Sequence, residues 1–175
     1  MSFDNPQLDV SNLPDYRSSS YMGIDTKYLT VMRWGAIVFA FVILIPPITV
    51  ITAVDQWSNL LLTGPIFGAW ILIFVTNLIL VKPRFLQKCY SVRERDISYK
   101  TGLLNRTTTT IPFNRVQHCD IKQGIISRYF GLSKLNVYTA GGSRSDLSIP
   151  GLRPAVANKI MNYVLQKTLE YDEEE

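Results

Sequence analysis

The fold of this chain is decided by two apolar stretches, WGAIVFAFVILIPPITVITAV at residues 34–54 and LLLTGPIFGAWILIFVTNLILV at residues 60–81. Neither stretch contains a Lys, Arg, Asp, Glu or His. Because a helix rises about 1.5 Å per residue, a segment of about 20 residues crosses a hydrocarbon core of about 30 Å. The short joint at residues 55–59 leaves room only for an immediate return of the chain. The sequence therefore predicts a helical hairpin through a membrane, with both of its ends on the same side.

Flanking charge indicates which side holds those ends. Asp55 is the only charged residue of the joint. Five basic residues border the apolar stretches, namely Lys27, Arg33, Lys82, Arg84 and Lys88. Positive charge next to membrane helices favours the cytoplasm. We therefore expect a multi-pass membrane protein with both termini in the cytoplasm.

Aromatic and glycine residues of the hairpin suggest specific roles. Trp34 and Trp57 lie at the predicted membrane surfaces, where Trp side chains commonly anchor a helix. Gly64 and Gly68 match the GxxxG spacing, which lets two membrane helices pack closely. The first helix of the same chain is the simplest packing partner for these glycines.

A proline pair and one amide stand out within the two apolar stretches. Pro46-Pro47 predicts a bend or an early end of regular helix, with a mechanistic hinge as the alternative. Asn77 is expected to form a hydrogen bond between helices or at the interface, since one amide falls short of the ionisable groups of a transport path. We therefore interpret the hairpin as an anchor and not as a conduit.

After residue 88 the apolar pattern changes to an alternation with a period of two, which is typical of strands. Six short candidate strands lie near residues 90–93, 97–100, 106–111, 116–123, 135–139 and 147–149. The following segment, residues 154–169, has a helical stripe of five apolar residues, namely Ala157, Ile160, Met161, Val164 and Leu165. This order predicts an α+β membrane protein, in which a two-helix transmembrane hairpin precedes an antiparallel β-barrel or sandwich closed by a C-terminal α-helix.

These patterns divide the chain into four parts. We expect a disordered tail at residues 1–20, an interfacial segment with two membrane helices at residues 21–84, a folded cytoplasmic domain at residues 85–169 and an acidic tail at residues 170–175. Within the folded domain, the spacing of Ile126, Tyr129 and Phe130 predicts a turn of helix against the sheet.

Residues that could carry catalysis are scarce. The chain has one histidine, His118, and its neighbour Cys119 would point to the opposite face of a strand. His118 and Asp120 share a face, where a surface contact is the simplest interpretation. The sequence has no metal-ligand spacing, phosphate-binding loop or disulfide framework. We expect no enzyme activity, no cofactor, no metal and no nucleic-acid binding.

Several short motifs follow one another in a characteristic order. They are Gly102-Leu103-Leu104, IPFNRVQ at residues 111–117, Gln123-Gly124, Phe130-Gly131-Leu132 and TAGG at residues 139–142. With the hairpin before them, these motifs resemble the bacterial membrane-anchored PH-like domain family (YdbS-like, bacterial PH domain type 2). The resemblance covers about residues 30–165. It implies a pleckstrin-homology (PH) fold at the bacterial plasma (inner) membrane. The glycines of these motifs suit turns in which φ is positive.

Fold alone does not determine function, so no phosphoinositide site is carried over from the PH fold. We expect a non-enzymatic, membrane-anchored scaffold that contacts the bilayer and binds a second copy or another membrane protein with a PH-like domain. The resemblance adds a role in envelope-stress tolerance.

The alternative is a lipid-sensing or lipid-handling subunit with a basic juxtamembrane face. The candidate headgroup contacts are Lys82, Arg84, Lys88, Arg93 and Arg95. Membrane topology and solvated strand faces would explain the same charges without a ligand.

Overall fold

The computed structural model describes residues 20–53, 55, 59–140 and 145–173. Its elements are β1 (Met22–Gly23), α1 (Lys27–Ala53), α2 (Leu60–Leu86), β2 (Cys89–Val92), β3 (Asp96–Thr101), β4 (Thr107–Pro112), a 3₁₀ helix (Phe113–Arg115), β5 (Val116–Lys122), α3 (Ile125–Tyr129), β6 (Ser133–Thr139), β7 (Leu147–Leu152) and α4 (Pro154–Glu173). Residues 1–19 of the predicted tail, the predicted anchor Trp57 and the Gly141-Gly142 pair lie outside the described residues.

The two long helices have the dimensions of membrane spans. α1 and α2 contain 27 residues each, and at about 1.5 Å per residue each is about 40 Å long. Many of their large apolar side chains are exposed, Phe41 and Leu72 among them. A core helix of a soluble protein would bury most of these side chains, so the surface of this hairpin suits contact with lipid.

A small set of side chains joins α1 to α2. The indole Nε1 of Trp70 donates a hydrogen bond to the carbonyl oxygen of Ala40 at 2.9 Å. Ala40 is buried, and the other buried positions of the hairpin are Ala36, Ile51, Thr63 and Val81. Small side chains on α1 let the bulky indole of α2 approach the α1 backbone.

Gly64 and Gly68 are turned away from α1, contrary to the predicted packing between the two helices. A Cβ atom built on either glycine meets no atom within 4 Å. Residues two apart on a helix point in directions that differ by about 200°. Because Trp70 is turned toward α1, Gly68 cannot face the same helix.

The prolines of the first span do not end its helix. Pro46 and Pro47 lie inside α1, which continues to Ala53, so the predicted early end of regular helix is wrong. The hydroxyl of Thr49 donates to the carbonyl oxygen of Pro46 at 2.8 Å, and that of Thr52 donates to the carbonyl oxygen of Ile48 at 3.1 Å. Both donors lie in the part of α1 that follows the prolines.

The rest of the described chain forms a sheet domain, which consists of β1–β7, α3 and α4. Its two antiparallel sheets have the strand orders β1-β2-β3-β4 and β5-β6-β7. The facing sides of the sheets share an apolar core that includes the fully buried Ile97 and Leu135. Ala157 and Val164 of α4 join the same core, so α4 closes the sandwich as predicted.

The structure confirms the predicted hairpin, antiparallel sheets and C-terminal helix, and it decides how the sheets are joined. No backbone ladder connects the two sheets in the described ranges, so they do not close into a barrel. The 3₁₀ helix turns the corner between them, and its Phe113 is fully buried. α4 continues to Glu173, beyond the expected end at residue 169.

The first sheet contains a strand that precedes the hairpin in sequence. Met22 pairs with Tyr90 and Gly23 pairs with Cys89, so β1 and β2 are neighbours although α1 and α2 separate them along the chain. The segment that the sequence assigns to the membrane interface thus begins as part of the sheet domain. The hairpin is therefore an insertion between two adjacent strands of one sheet.

Asp25 fixes the point where α1 leaves the sheet domain. Its backbone N–H donates to the carbonyl oxygen of Gly151 at 3.0 Å. Its carboxylate accepts hydrogen bonds from the backbone N–H of Lys27 at 2.9 Å and from the guanidinium of Arg153 at 2.6 Å. The hydrogen bond from the Lys27 backbone, together with the Arg153 charge, holds the pKa of Asp25 below its ordinary value.

Gly151 is required at this junction for two reasons. Its φ is +70°, in the left-handed region, and a Cβ atom built on it would lie 2.7 Å from Cγ of Tyr28. Gly102 and Gly131 have the positive φ that the sequence predicts. The same expectation for Gly124 is wrong, because Gly124 adopts the extended conformation of a helix N-cap before α3, with φ −70°.

We predict that Gly151→Ala destabilises the protein by about 2–4 kcal/mol, the sum of left-handed strain and a steric collision. Gly131→Ala is the control for strain alone, because a Cβ there meets no atom within 4 Å. Gly124→Ala introduces neither effect. Denaturant unfolding of the full chain in detergent, followed by circular dichroism, should rank the variants in that order. Equal unfolding midpoints for Gly151→Ala and Gly124→Ala would contradict the contact with Tyr28.

Candidate membrane-facing site

One end of the sheet domain is in direct contact with the hairpin. Tyr28, near the start of α1, and Phe85, near the end of α2, both pack against the core of the domain. β2 begins at Cys89, almost directly after α2 ends. α1 also contacts α3 and β7. The domain therefore has a defined membrane-facing end, which comprises the base of the hairpin, α3 and the C-terminal end of β7.

The lengths of the helices indicate how close this end of the domain lies to the hydrocarbon core of the membrane. Each helix is about 10 Å longer than a hydrocarbon core of about 30 Å. Basic residues occupy the ends of both helices next to the sheet domain, at Lys27, Arg33, Lys82 and Arg84. Because charged side chains favour the headgroup layer, we expect the boundary of the hydrocarbon near Trp34 on α1 and Val81 on α2.

The five basic residues predicted to contact headgroups do not form one surface. Lys82 and Arg84 lie near the end of α2, where an Nη atom of Arg84 donates to Oδ1 of Asn77 at 3.2 Å. Lys88 instead turns into the sheet domain, and its Nζ donates to Oγ1 of Thr101 at 3.2 Å. Burial lowers the pKa of Lys88. Lys88 is therefore committed to a contact within the domain.

Arg93 and Arg95 belong to the turn between β2 and β3, at the other end of the first sheet. The four residues of β2 lead about 13 Å away from the hairpin, at about 3.3 Å per residue. The Nε of Arg93 lies 3.7 Å from Oδ1 of Asp96, and Arg95 lines a crevice with Glu170 and Tyr171 of α4. The structure thus separates these two arginines from Lys82 and Arg84.

A cavity of about 580 Å³ with two lysines in its lining opens at the membrane-facing end. Lys122 of β5 and Lys134 of β6 line it from directly opposite positions of the two strands. The other lining residues are Tyr28, Gln123, Gly124, Ser127, Ser133, Pro150 and Gly151. Lys122 is already paired with Asp120, so Lys134 is the cation of this pair whose charge a bound anion would chiefly balance. The cavity therefore has the chemistry to hold a phosphate group.

A row of polar side chains holds Lys122 on the outer face of the second sheet. Its Nζ lies 3.0 Å from Oδ2 of Asp120. The Asp120 carboxylate also accepts hydrogen bonds from Nδ2 of Asn136 at 2.5 Å and from the hydroxyl of Tyr138 at 2.9 Å. Desolvation opposes ionisation of Asp120, but these hydrogen bonds, led by that from Asn136, keep its pKa below the ordinary value. Asn136 is buried and also accepts a hydrogen bond from Ser148.

His118 and Cys119 do not form a nucleophile–base pair. His118 stacks on Tyr138 with 4.2 Å between ring centroids, whereas Cys119 packs against the core on the opposite face. Burial, and then the nearby charge of Asp120, raise the pKa of the Cys119 thiol to about 11. A thiol with so high a pKa is a poor nucleophile at neutral pH.

Comparisons with known proteins agree with the sequence motifs. A family model for the bacterial PH domain matches residues 13–168. The UPF0699 transmembrane protein YdbS of Bacillus subtilis (strain 168) is 29% identical over 104 residues, which are 59% of this chain and 64% of that protein. The match thus covers slightly less than two thirds of that relative. A crystal structure of a DUF1696 family protein with a pleckstrin-homology domain from Shewanella loihica PV-4 shares 10% identity, with a TM-score of 0.36 over 49% of this chain and 74% of that chain.

We predict that Cys119 reacts slowly with maleimide at pH 7 and that its rate rises about tenfold per pH unit up to about pH 10, because only the thiolate reacts. Cysteine introduced by Asn114→Cys, at an exposed position of the 3₁₀ helix, is the control. Its rate should level off near pH 9, since an unperturbed thiol has a pKa of about 8.5. The full chain is labelled in detergent, and mass spectrometry of its peptides would follow Cys119 separately from the second cysteine, Cys89. A plateau for Cys119 below pH 9 would contradict the burial of its thiol.

Proposed function

This chain belongs to the bacterial PH domain family, and we propose that it acts without catalysis, as a membrane-anchored interaction subunit at the cytoplasmic face of the bacterial plasma membrane. The family, its transmembrane relative and two apolar helices of sufficient length make the chain a membrane protein with a PH-like domain. Contact with the lipid bilayer follows from that membership. The interaction role, the partner and the side of the membrane are the proposed part.

The open edge of β4 carries the proposal. Among the described strands, β4 pairs with β3 alone. Thr107, Thr108 and Thr110 are exposed along it, and no charged residue or proline interrupts residues 107–111. An open edge offers unpaired backbone N–H and C=O groups, to which an extended segment of a partner can add as another strand. Threonine has a high propensity for strands, so this edge suits such an addition.

The insertion of the hairpin supports a partner that is itself bound to the membrane. Because β1 and β2 are paired on either side of the hairpin, the sheet and the anchor share a fixed orientation. Every copy then presents β4 at the same height above the membrane. A second copy, or another membrane protein with a PH-like domain, would meet this edge in a matching orientation. A role in envelope-stress tolerance follows from the family resemblance and stays a prediction.

The cytoplasmic placement rests on the basic residues that flank both helices. The Asn114→Cys variant reports on it directly, because Asn114 is exposed on the sheet domain. A membrane-impermeant maleimide should label this cysteine in inside-out vesicles and leave it unlabelled in intact cells. Labelling in intact cells would reverse the proposed orientation.

For the β4 edge, we predict that a photo-crosslinking amino acid at Thr108 traps a defined protein partner in native membranes, either a second copy or another chain. Adding Thr110→Lys should reduce the crosslink at least about fivefold, because a lysine on an edge strand disfavours pairing. Asn158→Lys adds the same charge at an exposed position of α4 and should leave the crosslink unchanged. Gel mobility and mass spectrometry identify the product. Crosslinks to lipid alone would count against the interaction role.

The lipid-binding alternative is favoured by the cavity that contains Lys122 and Lys134 rather than by the basic residues predicted from sequence. The cavity lies at the membrane-facing end and combines two cations with hydroxyl and amide groups. In the described structure no acidic side chain forms an ion pair with Lys134. An anionic headgroup would bring opposite charge to this lysine, beside Lys122 and its partner Asp120.

Short-chain phosphatidylglycerol is therefore predicted to raise the unfolding temperature of the full chain in detergent, with Lys122→Ala/Lys134→Ala losing most of the increase. A ligand that binds only the native state at a hundredfold excess over its Kd adds about 2.7 kcal/mol of stability. Arg93→Ala/Arg95→Ala removes the same charge at the far end of the first sheet and should keep the full increase. Short-chain phosphatidylcholine is the neutral lipid control. An equal increase in all three proteins would exclude the cavity as the binding site.

A further inference from the structure

α3 exposes large apolar side chains at the membrane-facing end of the sheet domain. Ile125 is 92% exposed and Tyr129 is 86% exposed. Residues four apart lie on one face of a helical turn, so the two side chains project in the same direction. Ile126, between them in sequence, is also exposed. Adjacent apolar groups of this size mark a surface that is covered in the working protein.

This surface is continuous with the membrane part of α1. An apolar groove of about 390 Å³ is lined by Trp34, Ile125, Ile126, Tyr129 and Phe130. Trp34 is 50% exposed, and it lies where we expect the boundary of the hydrocarbon. α3 contacts α1, so the apolar face of α3 lies at the depth of Trp34. That depth is the border between headgroups and acyl chains, where aromatic side chains are enriched.

We propose that α3 inserts into the bilayer that α1 and α2 cross, so that Ile125 and Tyr129 enter the headgroup–acyl border and lipid chains fill the groove beside Trp34. The sheet domain then has two attachments to the membrane, one through the hairpin and one through α3. The second attachment lies to the side of the helix axes and restrains rotation of the domain about the hairpin.

Two observations favour lipid as the occupant of the groove. The groove opens onto the exposed side of α1 at Trp34, so lipid reaches it without any movement of the protein. The polar neighbours of the groove suit the headgroup layer, since Arg128 is exposed on the same short helix and Lys134 lines the adjacent cavity. A long basic side chain lays its stem along apolar surface and keeps its charge among headgroups.

Fluorescence depth measurements on the full chain test this proposal. In a Cys89→Ser/Cys119→Ser background, an environment-sensitive dye is attached to a cysteine at position 125, 129 or 114, and each protein is reconstituted into vesicles of phosphatidylethanolamine and phosphatidylglycerol. Aqueous iodide and a lipid with a nitroxide near its carbonyl group serve as quenchers. Ile125 and Tyr129 are so exposed that labelling should preserve the fold. Asn114 lies at the far end of the sheet domain and is the internal control for mixed orientations.

The expected result is a blue-shifted emission at positions 125 and 129, strong quenching by the nitroxide lipid, and iodide quenching at least about threefold weaker than at position 114. Equal iodide quenching at positions 125 and 114 would overturn the proposal. Shielding from both quenchers would also overturn it, because the groove would then be covered by a second copy of the chain. Neither result would bear on strand addition at β4.

A pair of variants separates apolar insertion from mere proximity to the bilayer. Ile125→Asp should raise iodide quenching of the dye at position 129 about twofold, because a charged side chain resists entry into the headgroup–acyl border. Ile125→Leu keeps the apolar volume and should leave quenching unchanged. An unchanged response to Ile125→Asp would show that α3 is held by protein contacts alone and would refute its insertion.

Discussion

Backbone pairing between β1 and β2 closes the base of the membrane hairpin, and the placement of the other elements depends on it. Met22 and Gly23 pair with Tyr90 and Cys89. Joining residues so distant in sequence would normally cost loop-closure entropy. Here the antiparallel packing of α1 on α2 has already brought the two ends together. Anchor and sheet therefore form one unit, in which each stabilises the geometry of the other.

Asp25 connects the base of the hairpin to the second sheet of the sandwich as well. Its backbone bond to Gly151 and its ion pair with Arg153 connect the start of α1 to the end of β7 and the start of α4. The ring of Tyr28 then occupies the space that the missing side chain of Gly151 leaves open. Because these groups act together, tilting of the sheet domain on its anchor would break hydrogen bonds and packing at the same time. The membrane-facing end is thereby defined at the level of single residues.

Residue patterns predicted the features that depend on local chemistry. Two uncharged runs of membrane length indicated the hairpin, alternation indicated the strands, and one apolar stripe indicated α4. β1 was missed because two residues are too few for a period and its partner lies beyond the hairpin. The direction of Gly64 and Gly68 depends on which helix face packs, and spacing alone does not contain that information. Clustering of Lys122 with Lys134 depends on the register of β5 against β6.

The basic residues also show that spacing in sequence does not reveal which side chains share a surface. Lys88, Arg93 and Arg95 are close in sequence, yet Lys88 turns inward and β2 carries the two arginines to the far end of the sheet. Proximity in sequence implies a common surface on a helix or in a loop, but a strand moves the chain about 3.3 Å with each residue. Charge that leaves the membrane region along a strand is therefore soon outside the headgroup layer. The cations that remain near the membrane-facing end come from segments distant in sequence, namely from the ends of α1 and α2, the end of β5 and the start of β6.

The apolar face of α3 and the lysine cavity lie side by side at the membrane-facing end, but they respond to different physical variables. Contact of Ile125 and Tyr129 with acyl chains depends on buried apolar area, which salt leaves nearly unchanged. Attraction between Lys122 or Lys134 and anionic headgroups is screened over about 8 Å at physiological ionic strength. High salt would therefore weaken any preference for anionic lipid while the domain stays seated on the membrane. In this arrangement, orientation and headgroup selectivity are separate properties of one surface, because one arises from the hydrophobic effect and the other from charge.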